Sequence, residues 1–330
     1  MADAKGVLVI GEAAGGQLDA SAKELLAHGR KLADSLGEPL SIAILGDNLG
    51  GAPKEAIAFG ADRVYAVSDP VLKEPQPEAY LAALTALAKE QSPKVIVAAK
   101  TPLGVNVGPR LAFRLETGLA QDCLEVKIDG NKKLVANRPV FGGNCMVSVA
   151  CDSLPMMAVI RLKTAEPLPR NDSRSGEIVP VNPRLDPSVV KAKVIKRVEE
   201  KQEGKRLEDA EVIVSGGRGL GGPEPFQKEL KELADLLGGV VSSSRAAVDI
   251  GWVPYSYQVG LTGKSVAPNL YIAVGISGAS QHMAGLSGAK NIVAINKDAN
   301  ANIFKESRFG VVGEWQKVVP ALIQAIRELK

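Results

Sequence analysis

The amino-acid sequence predicts two α/β domains, each a doubly wound parallel sheet with helices on both faces, so that three α/β/α layers result. Short apolar runs of strand length alternate with amphipathic stretches along most of the chain. The hydrophobic content is 45% but the aromatic content only 4%, which is typical of parallel strands packed by alanine, valine and glycine. The length of 330 residues exceeds that of an ordinary single domain and predicts two.

The first domain is predicted over residues 1–190. Four apolar runs have the length and β-branched content of buried strands: 7–10, 41–45, 64–67 and 95–98. Two amphipathic stretches between them, 21–36 and 77–90, predict helices. Strands that alternate with helices pair in parallel, so these runs predict the sheet of the first domain.

The pattern changes between residues 123 and 162, where turn residues separate hairpin-like runs. The runs are 124–128, 133–139, 146–151 and 156–162. Consecutive strands joined by short turns containing glycine and asparagine pair antiparallel, so we expect an antiparallel extension of the first sheet. The proline-rich passage 166–187 then predicts a surface crossover.

A second domain is predicted over residues 211–330, after a charged linker at 191–210. We favour a solvated strand plus linker for that charged segment over a docking patch. The strand runs of the second domain are 212–214, 240–241, 270–274, 292–295 and 311–312, and its longest helical patterns are 223–237 and 315–329. These runs predict a compact domain with a five-stranded parallel sheet.

Composition narrows the classes of function. The net charge of +3 is not concentrated in a basic stripe with interleaved aromatic residues, so nucleic acid is not an expected partner. Cys123, Cys145 and Cys151 form no CxxC pair, so we expect buried thiols in a reducing compartment rather than a zinc or iron–sulfur site. The chain enters a strand run at once and contains no apolar run long enough to span a bilayer, so we expect a cytoplasmic protein without membrane insertion.

Four polar loops of the second domain contain the main candidate residues. We call them the glycine loop (215–219), the arginine loop (243–245), the threonine loop (258–263) and the histidine loop (277–282). Each is expected where a strand ends, and parallel sheets bind ligands at the carboxyl ends of their strands, where backbone N–H groups face anions. Together the loops predict a large phosphate-bearing cofactor.

The glycine loop also begins a dinucleotide-binding pattern. Residues 217–222 match G-x-G-x-x-G after a predicted strand. That pattern requires an acidic residue at the end of the next strand to hold the ribose hydroxyls, but residues 242–245 are Ser-Ser-Ser-Arg. Arg218 within the motif and Pro223 directly after it also fit a nicotinamide cofactor poorly. A nicotinamide-dependent oxidoreductase therefore stays an alternative that depends on a weak pattern.

Two arginines and a histidine are the candidate charged groups of these loops. Arg218 and Arg245 each follow glycines or serines at a strand end, and each could either clamp a phosphate or form a surface ion pair. His282 lies about one turn into a helix that Ser277 and Gly278 open, and both a ligand-facing and a structural histidine fit that position. No Ser–His–acid or Cys–His grouping accompanies it in the sequence, so covalent catalysis is not expected.

The loops and their flanking strands carry a specific resemblance across the whole second domain. The segments are Val214-Ser-Gly-Gly-Arg-Gly-Leu220, Ser244-Arg-Ala-Ala-Val-Asp249, Gln258-Val-Gly-Leu-Thr-Gly-Lys264, the run from Ala267 to His282, and Ile295-Asn-Lys-Asp298. In this order they resemble the alpha subunit of the electron transfer flavoproteins. The first domain is similar more weakly, through 117–122, Arg138-Pro139 and Gly143-Asn144.

That resemblance implies FAD in the second domain. The implied FAD-binding residues are Arg218, Ser244, Arg245, Gln258, Val259, Gly260, Leu261, Thr262, Ser277, Gly278, Ala279, Ser280, Gln281, His282, Asn296 and Glu314. Arg245 would lie over the isoalloxazine ring, His282 would face its pyrimidine edge, and Thr262 would offer its hydroxyl to the central-ring nitrogen. A fixed cation beside that edge favours an anionic flavin semiquinone. Leu261 stands where the family often has glutamine, so we expect a different flavin potential. Glu314 stands where the family commonly has aspartate, so we expect a changed contact with the far part of the FAD.

The resemblance further implies an electron carrier. The chain would be the FAD-binding half of a heterodimer that accepts electrons from flavin dehydrogenases, such as the acyl-CoA dehydrogenases of fatty acid β-oxidation, and passes them to an acceptor such as a quinone oxidoreductase. The first domain would contact the beta subunit, which holds AMP or a second FAD, while its own ligand site is expected to be empty. Enzyme activity is expected only in the alternative within the family, an electron-bifurcating complex that oxidises NADH. A cofactor-free scaffold is a further alternative, which the intact loops disfavour.

Overall fold

The structure is a computed structural model that describes residues 4–143, 145–192, 194–196, 206–286 and 288–329. It divides into two compact units: the first unit is residues 1–141 with 145–198, and the second unit is residues 142–144 with 199–330. Much of the predicted linker 191–210, and Asn144 of the weaker resemblance, lie outside the described residues. The predicted domain boundaries therefore stay a prediction.

The first unit contains most of the predicted elements of the first domain. Its strands are β1 (Val7–Gly11), β2 (Ala13–Ala14), β3 (Gln17–Leu18), β4 (Leu40–Gly46), β5 (Arg63–Ser68), β6 (Val95–Ala99), β7 (Leu119–Cys123), β8 (Glu125–Ile128), β9 (Leu134–Val140), β10 (Cys145–Ala150), β11 (Met156–Ile160) and β12 (Glu177–Val181). Its helices are α1 (Ala20–Leu36), α2 (Ala52–Ala58), α3 (Pro77–Gln91) and α4 (Pro102–Arg114). The first four predicted strand runs are β1, β4, β5 and β6, and the two predicted helices are α1 and α3, so these predictions are confirmed.

A seven-stranded sheet runs through the first unit in the order β12-β5-β4-β1-β6-β11-β7, and its strands pair in parallel. Alternate residues of β1 enter two different cores, with Val7 and Val9 on one side and Leu8 and Ile10 on the other. Residues of α1 and α2 cover the first side, and residues of α3 and α4 cover the second. The prediction of a doubly wound three-layer domain is therefore confirmed.

Capping residues set where the main helices begin and end. α1 begins after Asp19, whose carboxylate accepts the Ser21 N–H at 2.8 Å, and it ends at Gly37, which has a φ of 67°. α4 begins after Thr101, whose hydroxyl accepts the Gly104 N–H at 3.0 Å. None of the helices in the described ranges is long and apolar enough to cross a membrane.

Several strands of the first unit differ from the sequence expectation, and β2, β3 and β7 lie outside the predicted runs altogether. β8, β9 and β10 form the antiparallel extension as a separate three-stranded sheet, but the fourth run, 156–162, contains the parallel strand β11 between β6 and β7. All five residues of β11 are buried, which suits a central strand rather than a hairpin arm. The predicted crossover 166–187 contains β12, an edge strand that sequence patterns missed because its residues are mostly exposed and include Pro180.

The second unit contains one parallel sheet. Its strands are β13 (Val212–Gly216), β14 (Val240–Ser243), β15 (Leu270–Val274), β16 (Ile292–Asn296) and β17 (Phe309–Val312), and its helices are α5 (Glu224–Gln227), α6 (Glu229–Leu236), α7 (Arg245–Asp249), α8 (Ser280–Met283) and α9 (Trp315–Leu329). The strands pair in parallel in the order β14-β13-β15-β16-β17, so the predicted five-stranded sheet is confirmed. The single helix predicted at 223–237 is two helices, because the backbone breaks at Lys228 with φ −111° and ψ −94°.

The two faces of this sheet are covered differently. Leu230 of α6 and Val319 of α9 belong to the core on one face, together with Ile272 of β15. The core on the other face contains loop residues, among them Val259 and Ile303. The segments around the threonine and histidine loops therefore contribute to the core of the unit, which fixes the position of their backbones.

Candidate cofactor site

Three of the four predicted loops leave the same edge of the five-stranded sheet. Gly216 at the end of β13 lies opposite Ser243 of β14 and Val274 of β15, so the glycine, arginine and histidine loops begin side by side. The threonine loop does not follow a strand, contrary to expectation; it follows a short helical turn. It joins the same edge through Gln258, which forms a β-bridge with Ser243. In addition, the Val259 N–H donates to the Ser243 carbonyl at 3.0 Å.

The glycines of residues 217–222 allow close backbone contact. A Cβ at Gly217 would lie 2.2 Å from the Gly275 carbonyl oxygen, and one at Gly219 would lie 2.8 Å from the same atom. The Gly219 N–H donates to that oxygen at 3.1 Å. The G-x-G-x-x-G spacing thus has a packing explanation, and it carries little weight for a nicotinamide cofactor.

Gly278 fixes the course of the histidine loop. Its φ of 80° lies in the left-handed region, and a Cβ there would lie 2.2 Å from the Ile303 nitrogen. The Ile303 N–H donates to the Ser277 carbonyl at 3.0 Å. The loop therefore runs against the backbone of residues 302–303, while Ser277, Ala279 and Gln281 are exposed.

Both predicted arginines are exposed at this edge. Arg218 makes no ion pair or side-chain hydrogen bond with any residue that the structure describes. The Arg245 Nε lies 3.1 Å from Asp249 Oδ2, one turn along α7, and both side chains are more than half exposed. Exposed pairs of this kind contribute only ~0–1 kcal/mol, so Arg245 can exchange Asp249 for a ligand anion. Ser244, which directly precedes Arg245 and is partly buried, donates its N–H to the Gly216 carbonyl at 3.0 Å.

Hydrogen bonds from Gln258 and Tyr255 hold the exposed Thr262 of the threonine loop. The buried Gln258 donates from Nε2 to Thr262 Oγ1 at 3.0 Å, and the Tyr255 hydroxyl donates to the Thr262 carbonyl at 2.5 Å. The Leu261 N–H donates to the Gln281 carbonyl at 2.7 Å, which connects this loop to the histidine loop. Because Gln258 occupies a lone pair of the Thr262 hydroxyl, that hydroxyl keeps its own proton to donate.

His282 is buried, and both of its ring nitrogens are hydrogen-bonded within the protein. Nδ1 lies 3.0 Å from the Val259 carbonyl oxygen, which can only accept, so Nδ1 carries the proton. Nε2 then accepts from the Tyr271 hydroxyl at 3.1 Å. Burial lowers the pKa of His282 to about 4, against the smaller opposing effect of the bond to Val259, so the ring is neutral at pH 7. These contacts match the structural alternative for this histidine, and its contact with the pyrimidine edge stays a prediction.

Sequence reasoning missed Tyr271, a polar group in the sheet beneath these loops. It is completely buried in β15, and burial raises the pKa of its phenol. The hydroxyls of Ser215 and Ser242 lie near enough to oppose that rise, although neither has a partner in hydrogen-bond geometry within the described part of the chain. The available signal was a tyrosine within an otherwise apolar strand run, where a buried phenol needs a hydrogen-bond partner.

Asn296 ends strand β16, and Glu314 follows strand β17. The Asn296 Nδ2 donates to the Ile276 carbonyl at 2.9 Å, which braces the backbone just before the histidine loop. Glu314 is exposed after the edge strand β17, with its carboxylate 3.8 Å from the Lys317 ammonium. The structure thus places Asn296 against the loops and Glu314 at the outer end of the sheet edge.

The chemistry of the exposed groups fits a flavin nucleotide. These groups are the guanidinium groups of Arg218 and Arg245, the Thr262 hydroxyl, and the side chains of Ser277 and Gln281. Phosphates require cations and hydrogen-bond donors, and the ring nitrogens and carbonyls of an isoalloxazine accept hydrogen bonds. The residues present therefore suit FAD, and the two arginines are the groups that would pair with its negative charges.

Comparisons with known proteins find one family in both units. The model of the electron transfer flavoprotein domain matches residues 7–185, and that of the electron transfer flavoprotein FAD-binding domain matches residues 206–287. Electron transfer flavoprotein subunit alpha of Thermoanaerobacterium thermosaccharolyticum is 44% identical over 100% of both chains. The protein of the same name from Megasphaera elsdenii is 40% identical over 100% of this chain and 98% of its own. Acryloyl-CoA reductase electron transfer subunit beta of Anaerotignum propionicum is 38% identical over 93% of this chain and 91% of its own.

Proposed function

This chain belongs to the alpha-subunit family of the electron transfer flavoproteins, and we propose that it binds FAD at the candidate cofactor site and acts as an electron carrier. The observation that carries the proposal is the exposed guanidinium of Arg218, which has no partner in the described part of the chain. The glycines on either side of Arg218 are packed closely against the backbone of Gly275. Such a guanidinium suits the diphosphate of FAD. The flavin supplies the redox chemistry when bound, and the protein orients it and sets its potential.

Each loop has a proposed role toward FAD. Arg218 and Ser244, with the exposed side chains of the histidine loop, hold the phosphate end. Arg245 lies over the ring and stabilises the negative charge that reduction adds, since its ion pair with Asp249 is exposed and exchangeable. Thr262 donates its hydroxyl proton to the ring, because Gln258 already occupies the acceptor side of that hydroxyl.

We further propose that the chain works as one half of a heterodimer. Its partner is a beta subunit, and the first unit provides the contact. Flavin dehydrogenases such as acyl-CoA dehydrogenases donate the electrons, and a quinone oxidoreductase or a comparable acceptor receives them. The subunit name of the two alpha-subunit relatives supports the heterodimer.

An electron-bifurcating complex that oxidises NADH is the second candidate. The relative from Anaerotignum propionicum, named as an electron transfer subunit of an acryloyl-CoA reductase, favours a role beside an acyl-CoA reductase. Both candidates use the same FAD site in this chain. They differ in the beta subunit, which holds AMP in the simple carrier and a second FAD in the bifurcating complex.

The cofactor content of the purified heterodimer tests the proposal. One FAD and one AMP per heterodimer are expected for the simple carrier, whereas two FAD and reduction by NADH are expected for the bifurcating complex. A complex without flavin would contradict the proposal. Binding of NADH to this subunit by itself would favour the nicotinamide-dependent oxidoreductase instead.

A further inference from the structure

We propose that Tyr271 is a positioning residue that acts through His282 and Val259 to set the place of Thr262 in the cofactor site, an inference that rests on the proposed function. The Tyr271 hydroxyl lies 3.1 Å from His282 Nε2, and His282 Nδ1 lies 3.0 Å from the Val259 carbonyl oxygen. Tyr271 belongs to strand β15, whereas Val259 belongs to the threonine loop. The imidazole therefore links the sheet to the loop.

The direction of each hydrogen bond follows from the chemistry of the atoms. The Val259 carbonyl can only accept, so Nδ1 is the protonated nitrogen of His282. The neutral ring then presents a lone pair at Nε2, and the Tyr271 hydroxyl must donate to it. The Val259 carbonyl thus fixes the tautomer, and the Tyr271 hydroxyl satisfies the lone pair that this tautomer leaves at Nε2.

Val259 is fixed at both of its backbone polar groups. Its carbonyl accepts from His282, and its N–H donates to the Ser243 carbonyl at 3.0 Å. Gln258, the preceding residue, donates to the Thr262 hydroxyl at 3.0 Å. The position and the free proton of the Thr262 hydroxyl therefore depend on residues 258 and 259, which the bond from His282 holds.

Loss of the phenol hydroxyl would leave His282 Nε2 buried without a donor. A buried polar atom without a partner is unfavourable, so the ring would then turn toward another donor. Such a turn would move Nδ1 away from the Val259 carbonyl oxygen and weaken the hydrogen bond that ties the ring to the loop. Thr262 would keep its bonds from Gln258 and Tyr255, but its loop would lose one of the bonds that hold it in place.

Nitrogen-15 NMR of the imidazoles tests this hydrogen-bond chain. His28 and His282 are the two histidines of the chain, so a full chain labelled with 15N-histidine and assembled in its complex gives two labelled rings. We expect wild-type His282 to be protonated at Nδ1 with Nε2 as a hydrogen-bonded acceptor, and Tyr271→Phe to shift the Nε2 signal toward that of an acceptor nitrogen without a hydrogen bond. A wild-type His282 protonated at Nε2 would overturn the proposal, even if Tyr271→Phe failed to fold.

His28 serves as the internal control in the same spectrum. Its Nε2 lies 3.0 Å from the Thr164 hydroxyl, in the first unit. Thr164→Val should therefore perturb the His28 signal and leave His282 unchanged, while Tyr271→Phe should do the opposite. A shift of both rings in Tyr271→Phe would indicate a general structural change and would overturn the specific role.

A double-mutant cycle tests whether the effect passes through Thr262. Tyr271→Phe is expected to speed FAD dissociation by about 2–10-fold, the loss that corresponds to one hydrogen bond, and Thr262→Val by a similar factor. If Tyr271 acts through Thr262, the double variant releases FAD no faster than Thr262→Val does, as the fluorescence of released FAD would show. Effects that multiply in the double variant would overturn the positioning role.

Failure of this role is distinguishable from failure of the proposed function. A wild-type complex without FAD would contradict the proposed function, whatever the imidazole signals show. A flavin-loaded complex in which Tyr271→Phe changes neither the His282 signals nor FAD dissociation would overturn only the role of Tyr271.

Discussion

The carboxyl edges of the two parallel sheets differ in how their charged side chains are paired. At the edge of the seven-stranded sheet, Arg161 donates to the two carboxylate oxygens of Asp122 at 2.8 and 2.7 Å, and Lys100 lies 2.7 Å from the same carboxylate. At the edge of the five-stranded sheet, Arg218 has no partner among the residues described there, and Arg245 has an exposed one. The charged side chains at this edge are thus paired within the protein in the first unit, whereas in the second unit Arg218 and Arg245 stay available to a ligand.

Burial explains why the first unit pairs its charges. The side chain of Arg161 is only 4% exposed, and a buried cation needs a counter-ion. Burial by itself would raise the pKa of Asp122, but the bonds from Arg161 and Lys100 hold that pKa below its usual value. Between β1 and β6, where the strand order reverses, the Thr101 hydroxyl donates to Glu12, a carboxyl whose pKa burial raises. The unit's own side chains therefore engage each other at the position where doubly wound sheets bind ligands.

Breaking the Asp122 pair should have the largest effect. Arg161→Ala leaves the Asp122 carboxylate with Lys100 but without its buried partner, so we expect the free energy of unfolding of the first unit to fall by about 3–5 kcal/mol. Arg245→Ala is the matched control and should cost less than ~1 kcal/mol, because its partner Asp249 is exposed. Urea unfolding of both variants measures the difference, and equal losses would contradict the contrast between the two edges.

Gly278→Ala tests whether the histidine loop depends on its backbone contact. The added methyl group would lie 2.2 Å from the Ile303 nitrogen in a residue with φ 80°, so we expect loss of bound FAD and a destabilisation of roughly 3 kcal/mol. Gly221 has a similar φ of 83° but no atom of the described residues within 4 Å, so Gly221→Ala should cost about 1–2 kcal/mol and keep FAD. The ratio of flavin to protein absorbance measures how much FAD each of the two variants keeps. Equal loss of FAD would assign the effect to φ rather than to the contact.

Acid should destabilise the two units alike, because each buries a neutral histidine. Burial lowers the pKa of His28 and of His282 to about 4, compared with 6.5 for a free histidine. The unfolded chain therefore takes up protons first as the pH falls, and stability that is fully present above pH 6.5 is lost toward pH 4. We expect a loss of about 2 kcal/mol for each histidine between pH 8 and pH 5.

The pH dependence of unfolding in matched variants checks this expectation. His28→Gln and His282→Gln should each remove one histidine's share of the slope between pH 6.5 and pH 5. An unchanged slope in either variant would show that its histidine is not buried in the neutral form.

Arg218→Ala should weaken FAD binding about tenfold, at the low end for a charge-assisted hydrogen bond because the side chain is exposed. Unfolding of the flavin-free chain should not change, since Arg218 bonds to no other described residue. Arg218→Lys keeps the charge but not the planar fork, so an intermediate affinity is expected. Equilibrium dialysis against FAD measures the three proteins, and full affinity in Arg218→Ala would remove the phosphate role.

Arg245→Ala should have the smallest effect on FAD binding and still change the flavin. We expect the variant to keep FAD, with a reduction potential lower by about 60 mV, the one-electron equivalent of a tenfold loss of stabilisation. The red anionic form of the one-electron-reduced flavin should no longer accumulate in a dithionite titration. If that red form accumulates as in the wild type, Arg245 does not lie over the ring.

Much of the fold could be predicted because buried parallel strands need continuous apolar runs. The run at β15, for example, is apolar on both faces and was assigned correctly from the sequence. The run 156–162 was not, because a central parallel strand and a hairpin arm are equally apolar and only the pairing partners differ. The edge strand β12 was missed for the opposite reason, since an exposed edge needs few apolar residues.

The candidate site was predictable at the level of loops but not of hydrogen bonds. The glycines and arginines of the glycine and arginine loops follow strand ends, where the sequence pattern places them. The threonine loop follows no strand, and it reaches the site through backbone bonds at Ser243 that leave no trace in the periodicity. Tyr271 lies in an apolar strand run, and the pattern of that run does not show which residue its hydroxyl contacts.

By itself, the sequence determined which segments are buried strands and that polar, glycine-bearing loops with Arg218 and Arg245 belong to the second domain. It could do so because burial on both faces and turns at strand ends each require particular residue types locally. Only the tertiary structure decided which polar groups are already satisfied. The partners of His282 lie 11 and 23 residues away in the sequence, and Asp122 lies 39 residues from Arg161. Such pairings depend on how the elements pack rather than on any local pattern.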